Sequence, residues 1–241
     1  MAVVPRLHLE DPPLRAAVTV SLDAARSHYL SRVLRLAAGD AVALFNAEDG
    51  EWRARVVALD RRGVRLAVED RLRPPCAEPG PSLWFAPPRR TRLEWLVEKA
   101  VELGVGGFRP VITERTVARL QRPERLRAIA VEAAEQCGRL TVPEFAPTRP
   151  LARALVEEAP AALLFADEAG DGRPLLKALD GEGPEPVFLV GPEGGFTPAE
   201  RAMLRARTTV RPVSLGPRIL RSETAALYML ACWGAVRGAG G

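Results

Sequence analysis

The chain is poor in the residues from which metal centres and disulfide frameworks are built. Its three cysteines, Cys76, Cys137 and Cys232, lie far apart with no C-x-x-C pair, and its only histidines are His8 and His28. Such a set argues against a zinc site and a disulfide framework and fits a reducing, cytoplasmic setting. Lysine is nearly missing too, with Lys99 and Lys177 alone, so arginine carries almost all the positive charge of a chain with net charge +4. Arginine suits bidentate phosphate recognition, although a G+C-rich coding bias enriches it as well. No apolar run reaches the length of a membrane span, and the start Met1-Ala2-Val3-Val4-Pro5 does not read as a signal peptide.

What is present is a globular composition, 47% apolar and 27% charged over 241 residues, enough for one large domain or two modest ones. The Pro- and Gly-rich stretch 73–82 has no apolar period and reads as a linker between domains at 1–72 and 83–241. Before it, apolar or alternating runs at 16–22, 41–45, 52–59 and 64–68 predict strands, and 23–34 predicts a helix with Asp23 as N-cap. After it, strands are predicted at 83–86, 108–112, 161–166, 186–190 and 210–214. Helices fit 91–103, 123–137 and 222–236. Strands alternating with helices predict an α/β fold, a parallel sheet covered on both faces. The last helix is apolar nearly all round and must be buried on more than one side.

Two glycine-rich loops in the last quarter carry the chemistry. Gly191-Pro192-Glu193-Gly194-Gly195-Phe196 follows one buried strand, and Leu215-Gly216-Pro217-Arg218-Ile219-Leu220-Arg221-Ser222-Glu223-Thr224 follows another. Paired loops of this kind, at the carboxyl ends of neighbouring strands, build a pocket of backbone groups. Neither is a P-loop or a G-x-G-x-x-G fingerprint. Between Arg201 and Arg221 lie six arginines and no carboxylate. Arg201, Arg205 and Arg207 fit a solvated helix face, whereas Arg218 and Arg221 stand beside the expected pocket.

These loops resemble the signatures of the ribosomal RNA small subunit methyltransferase E family, of the SPOUT class. The resemblance extends through Arg92-Leu93-Glu94-Trp95 to Val105, Glu132 to Arg139, and His28 to Leu36 with Gly39-Asp40, so it spans nearly the whole chain in order. It implies a SPOUT-type C-terminal domain with a trefoil knot, a small β-rich PUA-like RNA-binding domain before it, and a homodimer. It also implies S-adenosyl-L-methionine as cofactor and methylation of ring nitrogen 3 of a uridine in 16S ribosomal RNA. The cofactor is then expected on Phe165, Gly191, Glu193, Gly194, Gly195, Leu215, Gly216, Ile219 and Leu220, and RNA on Arg6, Arg32, Arg35, Arg89 and Arg90. Where the family pattern has Lys-Gly-Asp, this chain has Arg89-Arg90-Thr91.

A uridine ring nitrogen becomes nucleophilic only as its proton leaves, which calls for a base or a cation that stabilises the anion. Arg218 and Arg221 are the candidate cations, and Glu223 is the nearest carboxylate. A plain structural role suits Ser222 and Glu223 equally: an N-cap and a first-turn acid facing the helix dipole. Glu193 also fits a loop brace. Two other functions remain open on the sequence, ribose 2′-hydroxyl methylation and a non-catalytic RNA-binding protein of ribosome assembly.

Overall fold

The computed structural model describes residues 4–238 except 119, 121, 169, 170, 181, 182 and 184. The chain divides into two compact units: residues 1–77 with 134–142, and residues 78–133 with 143–241. The division is therefore not one cut at the Pro/Gly stretch, because the segment 134–142 packs with the first unit. The stretch 73–82 is also shorter as a connector than expected, since strands reach into both its ends.

The first unit is a five-stranded sheet in the order β1-β3-β4-β5-β2. Its strands are β1 (Arg6–His8), β2 (Thr19–Ser21), β3 (Ala41–Asn46), β4 (Gly50–Asp60) and β5 (Gly63–Arg73). β1 pairs in parallel with β3, and the other pairs are antiparallel. Strand β1 was not read from the sequence, because three residues are too few to show a period. The predicted helix 23–34 is a short α1 (Ala24–His28) that continues as a π-helical turn over Tyr29–Val33. Asp23 caps it as expected, its side chain accepting from the Arg26 amide. Val42, Leu44, Ala54, Val56, Leu66 and Val68, at every second position of β3, β4 and β5, form the core with Leu30 from the helical turn.

The second unit contains β6 (Ser82–Phe85), α2 (Arg90–Glu102), β7 (Gly107–Ile112), α3 (Pro123–Cys137, its last residues grouped with the first unit), β8 (Glu144–Phe145), β9 (Arg149–Pro150), α4 (Leu151–Glu157), β10 (Leu163–Ala166), β11 (Arg173–Pro174), α5 (Leu175–Leu179), β12 (Val187–Val190), α6 (Pro198–Arg205), β13 (Val210–Ser214) and α7 (Ser222–Gly238). The sheet order is β11-β13-β10-β12-β6-β7-β8, parallel throughout. The central strands Leu-Leu-Phe-Ala, Val-Phe-Leu-Val and Ser-Leu-Trp-Phe are almost wholly apolar because both faces are covered. Phe165, Leu189 and Trp84 stand side by side in register and face α4 and α6. Their neighbours Leu164, Phe188 and Leu83 are equally buried and point to the other face, where α7 packs against α2, α5, β6 and β12. Leu93, Leu96, Val97, Ala100 and Val101 are the buried stripe of α2, the stripe that the helical period predicts.

Candidate active site

Strands β10, β12 and β13 lie side by side and end level with one another, and the chain leaves their carboxyl ends through three loops. Between these loops opens a cavity of about 770 Å³, a size typical of small-ligand sites. One wall is Ala166-Asp167-Glu168, another Gly191, Pro192, Glu193 and Gly195, and the third runs from Ser214 through Ser222 to Ala225. The two glycine-rich loops thus meet in one pocket, with Leu215, Gly216, Arg218, Ile219, Leu220 and Arg221 all on its surface.

Glycine is required in the second of these walls. Gly195 has φ +68°, and a Cβ there would lie 2.1 Å from the Glu168 Oε1 atom. A side chain would both strain the backbone and fill the space between two pocket walls. Gly216 has φ +105° with open space around it, so there the requirement is conformational alone. Thr197 and Glu200 close the loop onto α6 with a reciprocal capping box, and the Glu200 carboxylate also accepts from the Glu114 amide.

Three expected site residues stand elsewhere. Phe165 is fully buried, edge-on to Phe196 beneath the pocket, because alternation along β10 turns it into the core, and Ala166 and the two acids after it form the wall. Gly194 faces away; its carbonyl accepts from Arg115 at 2.7 Å. Glu223 does not line the cavity. It is buried behind the loop with Oε1 3.5 Å from Arg92 Nε, and Arg92 also reaches Glu193 on the rim. Ser222 begins α7 without capping it: its Oγ is buried on the pocket wall with no hydrogen-bond partner.

Sequence reasoning missed Asp167 and Arg92. The side chain of Asp167 is fully buried, 2.6 Å from Arg205 and 3.7 Å from Arg201, and Glu168 is 3.2 Å from Arg201. Arg201 and Arg205 are therefore not a solvated face, as the sequence suggested, but partners of the acids at the end of β10. Arg205 also binds Asp171, which holds the Asp171 carboxyl below its usual range, and Asp171 and Asp167 together hold the guanidinium above its own. Arg207 reaches the Leu155 carbonyl. These pairs join residues more than 30 positions apart, so no local pattern announces them.

The expected RNA contacts divide in the same way. Arg6 is mostly buried in the first unit. Its guanidinium is 2.8 Å from Glu51, donates to the carbonyls of Ala134, Glu135 and Arg139, and stands 4.1 Å over the Phe45 ring. All these partners give Arg6 a structural role within the unit. Arg32 and Arg35 are exposed beside exposed Tyr29 and Val33, and Arg89 and Arg90 are exposed at the start of α2. Arg90, at the position of the family's glycine, is the first residue of α2 and has no positive φ, so no glycine is needed there.

The family models divide the chain similarly. One described as an RNA methyltransferase domain matches residues 79–234, and one described as an RNA methyltransferase PUA domain matches residues 22–69. Ribosomal RNA small subunit methyltransferase E of Rickettsia conorii is 30% identical over 206 residues, covering 85% of this chain and 84% of the relative. The protein of the same name from Synechocystis is 34% identical over 223 residues, 88% and 72% of the two chains. Ribosomal RNA small subunit methyltransferase E from Neisseria gonorrhoeae, solved with S-adenosyl methionine bound, superposes with a TM-score of 0.85 at 28% identity over 97% of this chain and 98% of that one. With its parallel-sheet pocket, with a PUA-like β unit earlier in the sequence, and with relatives matched along most of their length, the chain belongs to the ribosomal RNA small subunit methyltransferase E family.

Proposed function

We propose that the protein transfers a methyl group from S-adenosyl-L-methionine to ring nitrogen 3 of a uridine in small-subunit ribosomal RNA. The observation that carries this is the convergence of both glycine-rich loops and the end of β10 on one cavity. The residues present fit the cofactor. A backbone cradle that a Cβ at Gly195 would fill, a buried Ser222 hydroxyl without a partner, and carboxylates at the rim suit a ligand with hydroxyls and positive charge. S-adenosyl-L-methionine bound there supplies an activated methyl group.

What this chain's own residues must do is orient the uridine and handle one proton. Arg218 and Arg221 are exposed on the pocket wall, where they can stabilise the negative charge that spreads over the flanking carbonyl oxygens as the imide proton leaves. Glu223, turned away and paired with Arg92, is assigned as a brace of the pocket and not as its base. The well-formed glycine conformations in both loops weigh against a vestigial pocket. Arg32 and Arg35 in the PUA-like unit are the retained candidates for holding the RNA.

Two further features support the family's assembly. Thr224, Tyr228, Ala231 and Ala235 leave a mostly apolar stripe exposed along α7, which suits a homodimer. The chain also returns from β13 to pack α7 on β6 and β12 across the sheet, as the knotted SPOUT terminus requires. Light scattering at micromolar concentration tests the dimer. Incubation of unmodified small-subunit RNA with protein and cofactor, followed by mass spectrometry of the nucleosides, tests the reaction. Appearance of 3-methyluridine is the expected result, and methylation of a ribose or no methylation overturns it.

A further inference from the structure

A second cavity, of about 440 Å³, lies in the same unit between the beginnings of α2 and α3. Four arginines line it, Arg89 and Arg90 from one side and Arg122 and Arg125 from the other, against a single carboxylate, Glu94. That carboxylate is engaged with Arg90 at 3.2 Å and Arg125 at 3.8 Å. Arg89 and Arg122 have no carboxylate within ion-pair reach among the described residues. Between the two cationic sides the wall is apolar, formed by Leu93, Leu126 and the exposed Val117. Arg122 is held with φ +52°, in the left-handed region, by the turn that starts α3.

The cavity shares its supports with the first one. Arg92, on the first turn of α2, reaches Glu193 on the rim of the methyl-transfer pocket. Arg115, from the loop that also supplies Val117, donates to the Gly194 carbonyl. The two segments that border this cavity, α2 and the loop after β7, thus also hold the first glycine-rich loop.

We propose that this second cavity is an RNA subsite that takes an unpaired nucleotide flanking the target uridine, its phosphate between Arg89 and Arg122 and its base against the apolar wall. The proposal rests on the reading that the protein acts on RNA. Guanidinium groups that line one cavity without a carboxylate partner suit a phosphate, which arginine holds in a fork geometry. An apolar wall between them suits the face of a base, and a concave site this narrow admits a base only when it is unstacked.

The test uses full-length protein and a fluorescent single-stranded oligouridylate, titrated over a series of salt concentrations. Arg89→Gln with Arg122→Gln is expected to weaken binding and to flatten the slope of log K against log salt by about 0.7 for each phosphate no longer neutralised. Cofactor affinity by calorimetry is expected to stay at the wild-type value, which also reports that the variant is folded. Arg89→Gln alone, at an exposed residue, is expected to give about half the slope change. Unchanged oligonucleotide affinity and slope in both variants overturns the proposal. So does a loss confined to uridine monophosphate or inorganic phosphate, which makes the cavity a small-anion site. If the variants lose RNA affinity while the wild-type protein methylates no ribosomal RNA, the subsite stands and the proposed reaction falls. If methylation proceeds and RNA affinity is indifferent to both arginines, the reverse holds.

Discussion

Arg92 Nε lies 3.5 Å from Glu223 Oε1, and the same guanidinium reaches Glu193. One side chain of α2 thus ties the first glycine-rich loop to the first turn of α7, two segments 30 residues apart. The second oxygen of Glu223 is buried without a partner, so Arg92 is the only neutralising group the carboxylate has among the described residues. Arg92→Ala is expected to destabilise the protein by on the order of 1–3 kcal/mol, less than a fully buried pair because Arg92 is a third exposed. It is also expected to weaken cofactor binding. If Glu223 is a brace, Glu223→Gln keeps the shape of the pH–rate profile and loses far less than the roughly 10²–10⁴-fold that removing a general base costs. A double-mutant cycle then shows the two changes coupled in stability. A loss in that range with an altered profile would restore Glu223 as the base.

The cofactor cradle is tested at Gly195. Gly195→Val places a β-branched side chain against Glu168 at a φ that disfavours it, and the expected outcome is a folded protein without measurable S-adenosyl-L-methionine affinity. Gly216→Val meets open space, so its effect comes from backbone strain alone and is expected to be smaller. Equal wild-type affinity in both, by calorimetry, removes these loops from the cofactor site.

Arg221 is expected to act on the rate. A cation that stabilises a charge present only near the transition state lowers kcat when removed and leaves cofactor affinity unchanged. Arg221→Ala is accordingly expected to cut turnover on the order of a hundredfold. An increase in the apparent RNA dissociation constant with intact saturated turnover would show instead that Arg221 grips a phosphate.

Arg6 is expected to matter for folding and not for RNA. Arg6→Ala leaves Glu51 with Arg73 alone and frees three carbonyls, a loss of roughly 3–5 kcal/mol. Chemical denaturation measures this. Under conditions where the variant is folded, the salt slope of RNA binding is expected to match wild type, whereas Arg32→Gln is expected to lower it.

Asp23 gives a pH-dependent term in the first unit. Its carboxylate accepts from the Arg26 amide and pairs with the Arg26 side chain, which holds its pKa below the usual carboxylate value. A lowered folded pKa contributes stability that is present above the unfolded value and is lost as pH falls through the folded one. Asp23→Ala is expected to cost about 1 kcal/mol at pH 7 and less as the pH falls below 4. Thermal melts of both proteins across that range check it.

The sequence alone determined the local part of this protein. Periodicity placed α2 and α3 to within a residue or two and picked out the buried stripe of α2, because helical burial repeats within one short segment. The apolar runs of β10, β12 and β13 announced a doubly covered parallel sheet. The two glycine-rich loops announced a pocket because glycine marks where the main chain must bend or make room. Strand order lay beyond it. That β10 sits between β12 and β13, so that the two loops and Asp167 converge, is decided by packing over the whole sheet. The roles of the arginines were equally out of reach, since Arg6 and Arg89 are the same letter in the sequence. Arg6 folds against Glu51 and three carbonyls, while Arg89 is left facing a cavity. A charge becomes structural or functional according to which partners the tertiary fold brings within about 4 Å, where a Coulomb interaction outlasts screening by solvent.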